Sequence, residues 1–453
     1  MEEADLVTSP PGSASGSFDK ESHPTLTGKS CESSHERPPQ ETVQVQVFDG
    51  GKEAWMTVGG TWLIQFCTYG YISAFGVYQD YYTRIFLSQE SPSNISWIGS
   101  FQLFMQYAPG FLVGRAFDAG YFHYMIAVGT VLQVFSMVML SFARENRYYQ
   151  VFLAQAVGMG IGQSLLFLPS LTVIGHHFKC RRALATGIAV SGASFGGIAW
   201  PILLNQLSRR TSFANAIRAT AILAAVLLLL SNLLMKTEKR PRLVLQRPRL
   251  RVIFCDSAYL VSVASAFCIN LGLFFPYFYL ELYAIDIGID SKLAFYSVTV
   301  INAGSVLGRL LPNFFADKYG PYNLLLPCLF ISSALAFAMF GITSFPAVVA
   351  FGLLYGFWSG SYVSLIPSLL AQLSSHAGEH GTRMGIAFSI VGVSLLIGTP
   401  IEGALLPSRD GKYVWDNSII FCAVMVLCGA VGMTISRFLY VAQGRGGDRG
   451  NKV

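Results

Sequence analysis

One spaced set of glycine, proline and aspartate residues occurs twice in this chain at a near-constant offset. Gly158 … Pro169-Ser170-Leu171 returns 198 residues later as Gly356 … Pro367-Ser368-Leu369. Gly187-Ile188-Ala189 … Pro201-Ile202 returns as Gly385-Ile386-Ala387 … Pro400-Ile401, and Asp118 and Gly120 are echoed by Asp317 and Gly320. Three separated motifs sharing one offset identify a duplicated architecture, and duplicated halves are how many membrane transport folds are built.

Composition fixes the solvent of these halves. Apolar residues make up 53% of the chain and charged residues 12%, with a mean hydropathy of +0.49. Twelve apolar stretches reach the roughly 20 residues that cross a bilayer. Six occupy 56–78, 96–114, 122–143, 150–174, 184–207 and 213–235; six more occupy 253–280, 293–315, 322–343, 348–373, 384–406 and 419–440. Each is expected to be helical, because backbone polar groups find no water in hydrocarbon. The expected fold class is therefore an all-α membrane protein, with twelve transmembrane helices in two pseudo-symmetric six-helix halves. The segments would be a hydrophilic tail over 1–52, a first half over 53–236, a basic linker over 237–252, a second half over 253–441 and a short tail over 442–453. The Ser- and Pro-rich start buries too little surface to offset its ordering entropy and reads as disordered. No signal peptide is expected, since the first apolar run starts near Met56.

If both termini face the cytoplasm, 22 of the 31 Lys and Arg lie on that side and nine outside. The densest group is Lys236, Lys239, Arg240, Arg242, Arg247, Arg249 and Arg251. This is the positive-inside pattern of a multi-pass protein, with the plasma membrane as the expected location and the lipid bilayer as an obligatory partner. The formal charge of +6 is then a topology signal, and nucleic acid is not an expected partner. Cys67, Cys268, Cys328, Cys422 and Cys428 fall within spans, and no metal or cofactor spacing is visible. Asn94-Ile95-Ser96 is a sequon on the outer side, pressed against span two.

The layout resembles the major facilitator superfamily. Gly114-Arg115-Ala116-Phe117-Asp118-Ala119-Gly120 is similar to that superfamily's Gly-x-x-x-Asp-Arg-x-Gly loop in reduced form, and Asn313 … Asp317-Lys318-Tyr319-Gly320 is its second copy. There an acidic residue and a basic neighbour beside a helix end imply a latch on the inner gate; a plain capping turn is the alternative. Asp49-Gly50-Gly51-Lys52-Glu53-Ala54-Trp55 resembles the Asp-Gly-Gly-x-Gly-Trp opening of monocarboxylate porters, with one extra residue. His177-Phe178-Lys179-Cys180-Arg181-Arg182-Ala183-Leu184-Ala185-Thr186-Gly187-Ile188-Ala189 is similar to their Tyr-Phe-x-x-Arg-Arg-x-Leu-Ala-x-Gly-x-Ala motif, and the fungal branch is the nearest likeness. Arg181 and Arg182 suit anionic headgroups or acidic loop residues. Gly187, with Gly192, Gly196 and Gly197, offers a face for close helix approach.

Arg309 lies inside span eight with Ser305 and Asn302 on the same helical side. A charge at that depth is costly and ordinarily faces a cavity. The resemblance implies a substrate carboxylate held bidentately by this guanidinium; the other reading is a helix-end Arg paired with Asp317. Departures from the family pattern are equally specific. Ser305 stands where proton-coupled members carry Asp, and Ser73 stands in the stretch where they carry Lys. Proton symport by the family's usual route is therefore not expected. Glu402 is a candidate replacement, though its expected place at the outer end of span eleven favours a solvated carboxylate. Tyr69, Gln102, Gln106, Gln163, Asn270, Tyr277 and Tyr355 are further candidate cavity groups, of which Tyr69 and Tyr277 join Arg309, Asn302 and Ser305 as the expected substrate contacts.

The expected function is a secondary or facilitative transporter of a small organic acid, working by alternating access. Efflux of a secondary metabolite and a non-transporting nutrient sensor are the competing readings. No Walker-type Gly-x-x-x-x-Gly-Lys-Ser/Thr occurs, and the adjacent His176 and His177 have no carboxylate nearby in sequence, so no enzyme activity is expected. An accessory membrane partner is left open.

Overall fold

The computed structural model describes residues 50–237, 250–374, 379–406, 408–409 and 412–444. Asp49, most of the hydrophilic tail, residues 238–249 of the basic linker and the last nine residues lie outside them. The described chain is nearly all helical, and twelve spans follow one another. Ten are helices long and apolar enough to cross a membrane: Phe122–Ser141, Tyr148–His177, Arg182–Arg210, Phe213–Leu234, Ser257–Asp286, Ser291–Tyr319, Pro321–Gly341, Phe345–Leu373, His380–Ala404 and Asp416–Ala442. These are spans three to twelve.

The first two spans are interrupted, which their apolar runs do not reveal. Span one runs as Lys52–Cys67, Tyr69–Ile72 and Phe75–Tyr81, and span two as Pro92–Tyr107 and Gly110–Asp118. Pro109 explains the second break, because a proline lacks the N–H that would continue the ladder. Span one begins at Lys52, earlier than the apolar run suggests. Gly51 precedes it with φ of 110°, a conformation that favours glycine. Span seven is also composite: Ser257–Gly272 gives way to Phe275–Asp286 around Leu273 and Phe274, with Pro276 in the first turn of the second piece.

The sequence repeat is visible as geometry. Pro169 and Pro367 both lie inside helices, in spans four and ten, and Pro201 and Pro400 inside spans five and eleven. Two helix pairs make close backbone approaches between the halves. Span two packs on span eleven, where a Cβ on Gly114 would collide with the carbonyl of Gly381. Span five packs on span eight, where a Cβ on Gly187 would collide with the carbonyl of Arg309. Such backbone approach needs small residues, the usual device where no hydrophobic force drives helices together. Outward-facing Leu112, Val131, Leu233, Leu307 and Phe438 are exposed, as residues that meet lipid must be.

Candidate functional site

A central cavity lies between the halves, with about 740 Å³ of empty space counting the part continuous with solvent. Its walls are largely aromatic and aliphatic. Tyr107 of span two stands 5.2 Å from Phe167 of span four and 5.3 Å from Phe388 of span eleven, ring centre to ring centre. Tyr69 at the break in span one faces Phe167 at 6.1 Å and Phe274 at the break in span seven at 6.3 Å. Rings at these separations pack on one another and give the cavity an aromatic wall.

Arg309 is the charged residue of this wall and is only 3% exposed. Its Nη1 donates to the carbonyl of Val190 in span five at 2.7 Å, while Nε has no partner. Tyr69, Tyr107 and Tyr277 surround the guanidinium electrostatically. It makes no pair with Asp317, whose carboxylate is engaged elsewhere. A buried guanidinium with an unused donor beside a cavity can hold an anion or a strong acceptor.

The other expected substrate contacts are distributed differently. Tyr69 lines the cavity. Tyr277 of span seven acts on the guanidinium electrostatically without lining the cavity, and its hydroxyl pairs with that of Ser359 at 3.1 Å. Asn302 and Ser305 do not line the cavity; they lie in the contact between spans five and eight. Asn302 donates to its own helix at the Val298 carbonyl and packs on Gly197, and Ser305 accepts from Ser194 at 3.1 Å. Counting turns put them on the side of Arg309, but the longer Arg side chain reaches past span five where theirs stop. Of the remaining candidates, Asn270 lines the cavity and bonds Tyr362, Gln102 bonds Gln163, and Tyr355 donates to the Leu273 carbonyl. Tyr107, Phe167, Phe274 and Phe388 were not singled out from sequence. Nothing separates a cavity aromatic from a packing one until helix rotation is known.

On the side carrying most Lys and Arg, the two loop aspartates cap helices of the opposite half. Asp118 accepts from the Gly381 N–H at 2.9 Å, the Thr382 N–H at 2.7 Å and the Thr382 hydroxyl at 2.6 Å, at the start of span eleven. Asp317 accepts from the Ala183 and Leu184 N–H groups at 2.8 and 2.9 Å, at the start of span five. A helix start has unsatisfied donors and a positive dipole, so a carboxylate is the matching group. The latch is thus a cross-half cap. The basic neighbours lie on aromatic rings, Arg115 over Phe111 and Lys318 over Tyr319. Arg182 donates to the Gly175 carbonyl and Arg181 is exposed. Gly50 and Gly51 lead into span one.

Two further charged groups depart from the sequence reading. Glu402 is not solvated at a helix end but 1% exposed, beneath span twelve. Arg383, which sequence did not single out, is fully buried, 2.8 Å from Asp256 and 3.4 Å from Glu379, with its guanidinium over the Tyr259 ring. Removing the cation from two buried carboxylates is costly, so Arg383→Met is expected to destabilise the fold by about 3–5 kcal/mol. Thermal unfolding of the detergent-solubilised protein checks this.

A model of the Major Facilitator Superfamily matches residues 59–314 and 297–450, and the chain belongs to that superfamily. It is a multi-pass membrane transporter. It is 36% identical over 395 residues to MFS-type transporter 1 of Ophiocordyceps sp. (strain BCC 1869), covering 86% of this chain and 87% of the relative. It is 36% identical over 410 residues to the aspyridones efflux protein of Emericella nidulans, covering 90% and 83%. It is 37% identical over 381 residues to the agnestins efflux protein of Paecilomyces divaricatus, covering 83% and 86%. Among solved structures, the Escherichia coli fucose:proton symporter superposes with a TM-score of 0.61 at 18% identity, over 83% of this chain and 98% of that one, a likeness of fold.

Proposed function

We propose that this transporter exports a small, partly aromatic organic metabolite carrying an anionic or strongly accepting group. The observation that carries the reading is Arg309, a buried cation with a free donor in the wall of a cavity lined by aromatic rings. The relatives described as efflux proteins for aspyridones and agnestins support export of a metabolite over uptake of a simple monocarboxylate. The likeness to monocarboxylate porters at 177–189 fits an acid-binding Arg, while the aromatic lining of the cavity argues for a cargo with a ring over a short aliphatic acid. In this reading both termini face the cytoplasm of the plasma membrane, in keeping with the placement of the basic residues.

Everted vesicles from a host expressing the chain provide the test. Radiolabelled 4-hydroxybenzoate is expected to accumulate in them, and excess lactate is expected not to compete. Competition by lactate equal to that by unlabelled 4-hydroxybenzoate would restore the short-acid reading. Phe388→Ala is expected to weaken half-saturation for the aromatic acid about 2- to 10-fold, since one ring contact contributes about 0.5–1.5 kcal/mol. The comparison with lactate in the same vesicles isolates the ring contribution.

A further inference from the structure

Among the described residues, the buried Asp, Glu, Lys and Arg side chains are Asp256, Arg309, Glu379, Arg383 and Glu402. Asp256 and Glu379 both pair with Arg383 in a single cluster. That leaves one cation and one carboxyl, Arg309 and Glu402, outside any ion pair. Glu402 has an Oε1 without a hydrogen-bond partner. The titratable groups around it are Tyr279 of span seven, Tyr355 of span ten and Cys422 of span twelve, and no cation is among them. An isolated carboxylate in such a place is costly, and taking up a proton removes the cost.

The two unpaired groups are linked by side chains. Tyr355, beside Glu402, donates to the Leu273 carbonyl at 2.7 Å, inside the break of span seven. Its ring lies 6.4 Å from that of Tyr277, which faces the Arg309 guanidinium. Glu402 itself lies two residues beyond Pro400, the proline that interrupts span eleven's hydrogen-bond ladder. Gly403, next to it, packs on the Tyr279 hydroxyl. A change at Glu402 therefore bears on the break of span seven and on the proline-containing end of span eleven.

We propose that Glu402 is the proton-carrying group of this transporter, binding a proton when an anion occupies Arg309 and releasing it when the anion leaves. When Glu402 is ionised, the charge that balances it in the interior is Arg309; an anion on Arg309 removes that balance, and a proton on Glu402 restores it. The carboxylate takes its proton from water on the side the cavity faces, forming an O–H bond. That bond breaks again to water after the halves rock, so anion and proton move together and the loaded interior stays neutral. Binding of the two is reciprocal by linkage: each raises the affinity for the other. The proton's partner here rests on the anion-export reading, while the carboxyl site stands on its own geometry.

Two measurements on the full chain test this. Calorimetric titration of 4-hydroxybenzoate in buffers of different ionisation enthalpy is expected to show one proton taken up per anion bound. Glu402→Gln is expected to bind the anion with no proton uptake. Equal proton uptake by both proteins overturns the assignment. Infrared difference spectra across a pH titration of the cargo-free protein are expected to show a carboxylic-acid C=O band that Glu402→Gln lacks. If both proteins give the same bands, Glu402 does not exchange a proton and the proposal fails. A titrating Glu402 band without any anion binding would overturn the cargo reading and leave the proton site standing.

Discussion

Arg309→Lys is expected to cut 4-hydroxybenzoate transport about 10- to 100-fold, although the charge is retained. The guanidinium has two tasks that an ammonium does not combine. Nη1 is fixed to the Val190 carbonyl of span five, which holds the plane of the group, and Nε has no hydrogen-bond partner. A planar fork can serve both directions at once; a single ammonium on a flexible stem that bonds Val190 turns away from the cargo. Loss of one charge-assisted hydrogen bond weighs about 1.5–3 kcal/mol, which sets the expected range. Arg309→Met, which keeps the apolar stem, is expected to fall further, since the interior then has no counter-charge for an anion. Transport assays at matched expression and thermal stability decide the matter, and unchanged transport by the Lys variant would remove Arg309 from the cargo site.

The fold was more legible in the sequence than the site, for a physical reason. Membrane spans announce themselves as continuous apolar runs, and the repeat of Pro169 at Pro367 and of Pro201 at Pro400 marks equivalent helices of the two halves, each with a proline inside it. Pro109 marks the break in span two, but in span one a stretch of apolar residues reads the same whether its helix is continuous or broken at Thr68 and Ser73. Side-chain placement across the interface is a different kind of information. Ser305 and Asn302 share a helical side with Arg309, yet they end against Ser194 and Gly197 because span five approaches closely there. Glu402 sits near the end of an apolar run and reads as solvated; only the tertiary arrangement shows span twelve over it, with the Ser418 hydroxyl on its backbone carbonyl at 2.9 Å. Arg383 reads as one more basic residue on the basic side. Its burial against Asp256 joins spans seven and eleven, elements 127 residues apart in sequence. The duplication had an unequal yield. It located the capping aspartates, which matter in both halves, and gave nothing on Arg309, whose position in the first half is held by Gly110 or Phe111.

The Asp118 and Asp317 caps give the second large expected effect. The cross-half hydrogen bonds described above run from the level of Ser194 and Ser305 toward the basic side, so this side is held shut in the structure. Rocking the halves apart must break both caps, and their loss should favour the state open to that side. Asp118→Asn is suited to the test because it is nearly isosteric. Its amide retains one acceptor oxygen but turns an NH2 group toward a backbone N–H that needs an acceptor. About 1.5 kcal/mol or more of closing free energy is expected to be lost, roughly a tenfold gain in the open population. Asp317→Asn should act alike, since it caps span five as Asp118 caps span eleven. The two sites share no partner, so the double variant is expected to gain roughly the product of the two factors. Thiol-labelling rates of Leu171→Cys, a position on the cavity wall, report the opening when reagent is supplied from the basic side. A double variant that labels no faster than either single one would mean that one cap alone governs closure, and that the second copy of the motif serves only to end its helix.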